Sequence, residues 1–142
     1  MNPDFGPAAR RLVIGEEGDE QSSKQMAERA ANACRKLSHH LARLLGKLGV
    51  ELLLERSVAL ASAEVPWLAT ASRGPVAQED RVVSALQVAL EPHEPEAIAE
   101  AFVAVLSALV ELLERLIGEG LVERLLNEVW PAVFVRGAKD TP

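Results

Sequence analysis

Tyrosine is absent from the 142 residues, and two Trp and three Phe are the only aromatics. Stacking platforms for single-stranded nucleic acid are therefore scarce. Positive charge is short as well, with 15 Lys and Arg against 21 Asp and Glu and a formal net charge of −6. A net acidic chain lacks the whole-molecule attraction to phosphate on which non-specific binding relies, so no nucleic-acid partner is expected. Cys34 is the single cysteine. No intrachain disulfide can form, and a reducing, cytoplasmic location is the expectation. The longest uncharged apolar run, 101–110, has ten residues, well short of the roughly 20 that span a bilayer. Met1-Asn-Pro-Asp-Phe-Gly-Pro lacks a basic stretch leading into an apolar one, so no signal peptide is expected.

The residue patterns that carry chemistry are missing too. His39, His40 and His93 are the only histidines. Neighbouring helical residues point about 100° apart, so His39 and His40 cannot both ligate one ion. No His-Glu-x-x-His, paired cysteines, nucleophile elbow or phosphate-cradling glycine loop occurs. Neither metal nor cofactor is expected, and Cys34, on an apolar stripe, reads as a small core residue.

What is present is helix-forming sequence: Ala, Leu, Val, Glu and Arg dominate. A first helix is expected from Ser22 or Ser23, where Ser22 and Gln25 have capping-box spacing. Met26, Ala30, Cys34, Leu37, Leu41, Leu44 and Leu48 follow at steps of three and four, and Gly46 and Gly49 suggest a stop within 45–49. A second helix presents Val50, Leu53, Leu54, Val58 and Ala61 inward. Pro66 breaks it, and 70–75 reads as a loop before a third helix from about Pro75 to Leu90. The fourth, about 96–117, is apolar over most of its circumference, including Phe102, Leu109, Leu113 and Leu116, and so belongs at the centre. A fifth, about 119–130, turns Leu121, Val122, Leu125 and Val129 inward, and Phe134-Val135 could fold back beyond it.

The expected fold is all-α, a compact bundle of four or five helices with a central hydrophobic helix. Residues 1–20 are expected to be a disordered segment, apart from local docking of Leu12-Val13-Ile14. Residues 21–135 form a single helical domain and 136–142 a frayed tail.

Charge is segregated along the chain. Residues 21–48 carry six cations against Glu28 alone, whereas 91–128 carry nine Glu against Arg115 and Arg124. Surfaces of opposite sign steer partners or a second copy. Leu52-Leu53-Leu54 and the alanine row at 97, 101, 104 and 108 supply more apolar surface than one small core requires, and any excess marks an interface. Trp67, Phe102 and Trp130 are candidates for an apolar pocket or interface.

One local pattern is sharper. On the first helix His39 is rotated about 200° from Leu37 and so faces solvent, with Arg35, Lys36 and Arg43 one turn away. With Leu41 two positions after His39, and Leu48-Gly49-Val50 about three turns on, the stretch resembles the phosphoacceptor helix of histidine-phosphotransfer domains. That resemblance covers about a dozen residues and implies His39 as phosphoacceptor for a receiver partner. It departs from the family at Ala42 and Arg43, where Lys-Gly is usual and the Gly leaves room for the receiver. A solvated basic face that steers a partner is the simpler account of Arg35, Lys36 and Arg43. The expected function is a non-catalytic cytoplasmic interaction or regulatory module, with a protein partner or itself as a homodimer. Histidine phosphotransfer and regulation by an apolar small molecule are the alternatives.

Overall fold

The computed structural model describes residues 9–10, 12–13, 23–72 and 81–130. They form helices α1 (Ser23–Ala61), α2 (Arg81–Leu90), α3 (Pro95–Ile117) and α4 (Glu119–Val129), with a 3-10 segment at Pro66–Ser72. No strand occurs among the described residues, and the architecture is an all-α bundle.

The first helix contains its own reversal. Gly46 has φ 78° and ψ 161°, outside helical geometry, in a region open essentially to glycine alone. Two contacts at His93 define the path of the chain on either side of this glycine. At one end of α1 the Ser23 hydroxyl donates to the His93 carbonyl at 2.5 Å. Just beyond its other end the Trp67 ring stacks on the His93 imidazole, centroids 3.6 Å apart. A straight helix of 39 residues would separate its ends by about 58 Å. The chain instead turns back at Gly46, as the expected stop within 45–49 requires, giving arms 23–45 and 47–61.

The return arm is tied to α2 by Arg81, whose nearly buried guanidinium lies 3.4 Å from the Glu55 carboxylate. Val82, Val83, Leu86 and Leu90 make the inner face of α2. The expected start of this helix at Pro75 lies outside the described residues, as does Ser22 of the expected capping box. Where a loop was expected from residue 70, the 3-10 segment continues to Ser72.

Helix α3 starts with Pro95 in its first turn, where the missing N–H costs nothing, and Glu96 follows where a negative charge suits the helix dipole. It buries Ile98, Phe102, Val105, Leu106, Leu109 and Leu113 against α1 and α4. It ends at Gly118, whose φ of 91° and ψ of 154° repeat the Gly46 conformation. Helix α4 then packs on α3 and α1 through Val122, Leu125, Leu126 and Val129.

The core is apolar almost throughout. Ser57 is the buried polar residue among those described, and its hydroxyl donates to the Leu53 carbonyl at 2.8 Å. In α4 the Asn127 Oδ1 is shut off from solvent with no hydrogen-bond partner. Ala9 and Val13 are fully buried and Leu12 packs on the core, so this short stretch docks. Arg10 grips Glu96 at 3.0 and 3.2 Å. That hydrogen bond, and then the guanidinium charge, hold the Glu96 carboxyl below the usual carboxylate range. The remainder of 1–22 and all of 131–142, including Phe134-Val135, lie outside the described residues.

Candidate functional site

Helix register places the two glycine corners at one end of the bundle. The outgoing arm, 23–45, and α3, 95–117, both begin beside His93, and α1 packs on α3. Each has 23 residues, so each climbs about 34 Å from that shared level. Gly46 and Gly118 therefore cap the same end, opposite His93.

That end is where the apolar side chains are uncovered. Exposure is 56 % for Leu44, 73 % for Leu48, 57 % for Leu52, 61 % for Leu116 and 41 % for Leu121. Of the seven exposed large hydrophobic residues among those described, these five lie within six positions of Gly46 or Gly118, or about 9 Å along a helix. Leu60 and Val88 are the two elsewhere. Single exposed leucines carry no information, but a cluster does.

This corrects the expectation that Leu44, Leu48, Leu116 and Leu121 face inward. Leu44 continues the stripe of Leu37 and Leu41, and Leu116 that of Leu109 and Leu113, all four buried. Their direction follows the stripe, yet they are uncovered, while Leu45 and Ile117 beside them stay half-buried against the core. Leu121 sits at the start of α4, beside the same corner. Leu48 falls past Gly46, where the stripe of the outgoing arm no longer sets its direction. Of the surplus expected from Leu52-Leu53-Leu54 and the alanine row, Leu52 alone is exposed; Leu54 and Ala101 are buried, and Leu53, Ala97, Ala104 and Ala108 half-buried.

The corner leucines are flanked by charge of opposite sign. On the α1 side, within six positions of Gly46, stand Arg43 and Lys47 with Glu51, one net positive charge. On the α3–α4 side, within six positions of Gly118, stand Glu114, Glu119 and Glu123 with Arg115 and Arg124, one net negative charge, and Glu111 lies one position further down α3. Arg43, Glu111 and Glu119 are exposed.

Lower on the outgoing arm, His39 is exposed, as its rotation from Leu37 predicts, and Lys36 and Arg43 share its face. Arg35 is half-buried and donates to Asn32 Oδ1 at 3.3 Å. His40 Nδ1 lies 3.2 Å from the Lys36 carbonyl. The three large rings all belong to or pack against one core. Phe102 and Trp130 are buried in the core, while Trp67 lies half-buried on His93.

Cys34 is buried, and loss of hydration pushes its thiol up to about 12, against a smaller pull from Arg35. Among the described residues no three His, Cys, Asp or Glu side chains gather as metal ligands. No helix of the described residues is long and apolar enough to cross a membrane. Comparison with protein-family models, curated proteins and solved structures finds no match.

Proposed function

We propose that the chain is a non-catalytic helical interaction or regulatory module of the cytoplasm, docking to protein through the end that carries the two glycine corners. The observation that carries this reading is the collection of uncovered leucines there. Apolar surface gains about 25 cal/mol for each Å² removed from water, so covering several half-exposed leucines supplies a driving force of a few kcal/mol. Flanks of opposite sign add orientation more than affinity. The buried, hard-to-ionise thiol of Cys34 supports a structural role for the one nucleophilic sulfur.

The test is the intact mass of the chain recovered gently from its own host, beside Leu48→Ser and Leu116→Ser variants. The expected result is a wild-type mass above that of one chain and variants at the mass of one chain. Wild type and variants alike at one chain's mass would overturn the reading.

A second reading has its own observation: His39 is exposed on a helix of an all-α bundle, with Lys36 and Arg43 on its face. In that reading His39 accepts a phosphoryl group from a phosphorylated receiver domain. Transfer of label that persists in His39→Gln would remove it.

A further inference from the structure

We infer that the occupant of the leucine-rich end is a second copy of this chain, joined end to end about a two-fold axis. The inference rests on the reading of that end as a docking surface, and the charge around it selects the partner. Beside the corner leucines, the α1 flank carries one net positive charge, with Arg43 exposed, and the α3–α4 flank one net negative charge, with Glu119 exposed and Glu111 exposed just below it.

In a two-fold pair the same patch meets itself. An axis lying across the end, perpendicular to the line joining the two flanks, exchanges left for right. The α1 flank of one copy then faces the α3–α4 flank of the other, twice. A foreign partner would have to carry this division of charge in mirror order, whereas a second copy carries it already. The apolar centre is supplied twice over by Leu44, Leu48, Leu116 and Leu121.

The experiment uses the purified full-length chain in sedimentation equilibrium over a concentration series, with circular dichroism to confirm that each variant is folded. Wild type should pass from one chain to two as concentration rises. Leu48→Glu, at the most exposed leucine, should remain at one chain. Arg43→Glu and Glu119→Arg each set like charges against one another at both symmetric contacts, and each should weaken the pair by about tenfold or more. Mixed together they restore opposite charges at both contacts, so the mixture should associate as tightly as wild type and better than either variant alone.

A wild type that stays at one chain's mass, a pair untouched by Leu48→Glu, or a mixture no tighter than its components would each overturn the inference. The docking reading fails separately. A purified chain that is always single, but recovered from its host in a heavier complex that Leu48→Ser dissolves, removes the second copy and keeps the surface. One chain's mass in both settings removes both.

Discussion

Gly118 and Gly120 are two residues apart, yet alanine at these positions should act in opposite directions. At Gly118 the backbone has φ 91° and ψ 154°, and an added Cβ would meet nothing within 4 Å. The cost there is purely conformational, about 1–3 kcal/mol for a non-glycine residue held in that region. Part of this is offset because alanine narrows the unfolded ensemble, by about 0.4–1 kcal/mol. A net loss of about 1–2 kcal/mol is expected for Gly118→Ala. Gly120 is helical, without positive φ, and its added Cβ is also unopposed. Gly120, in the first turn of α4, has less to gain than a mid-helix glycine, and Gly120→Ala should stabilise by about 0.5 kcal/mol.

The two variants should thus differ by about 2 kcal/mol, which for a chain of this size is about 6–8 °C in Tm. Urea titration followed by circular dichroism at 222 nm measures the difference, and calorimetry checks it. The slope against urea should be unchanged, because neither substitution alters how much surface unfolding exposes. Gly46→Ala, at φ 78° with open space around the missing Cβ, should match Gly118→Ala in sign. If Gly118→Ala proved neutral or stabilising, the corner would not depend on glycine and the reasoning about both corners would fall.

Phe102→Ala, deep in α3, should cost about 3–5 kcal/mol in the same titration, the range for an aromatic removed from a core. Asn127→Leu should raise stability by about 1 kcal/mol, because it removes a buried acceptor that has no donor. The Cys34 thiol should resist iodoacetamide at pH 8 until urea unfolds the chain. Its ionisation is pushed from 9.0 to about 12 in the fold, so above pH 9 the unfolded chain gives up this proton while the native chain keeps it. Stability from this group is therefore complete below pH 9 and falls by about 1.4 kcal/mol per pH unit up to pH 12, a loss that Cys34→Ala should abolish. His93→Ala removes the ring under Trp67 but leaves the carbonyl that Ser23 uses, and should cost about 0.5–1.5 kcal/mol by thermal denaturation.

Much of the fold is legible in local sequence, because helix periodicity and breakers are local signals. Pro95 with Glu96 marks the start of α3, Gly118 its end, and the stripe from Met26 to Leu41 the inner face of α1. The pairing of Trp67 with His93 is not legible. It depends on the chain reversing at Gly46, and the two residues stand 26 positions apart. Arg10 and Glu96 are hidden for the same reason, at a separation of 86 positions. His39 faces solvent as its rotation predicts, since direction around a helix follows from residue number alone.

The corner leucines lie beyond the reach of periodicity. It gives the direction of a side chain around its helix but says nothing about whether another helix stands opposite at that height. Leu41 and Leu44 belong to one stripe, as do Leu113 and Leu116, yet in each pair the first is fully buried and the second more than half exposed. Leu44 and Leu116 each lie two residues before a glycine that ends the helix, while Leu45 and Ile117, one residue nearer, still pack against the core from a different side of their helices. The outgoing arm and α3 start level and are equally long, so they also turn level. Gly46 and Gly118 end them there, so the two stripes run out together. Their exposed leucines, Leu44 and Leu116, therefore lie at one end of the bundle and not scattered along it.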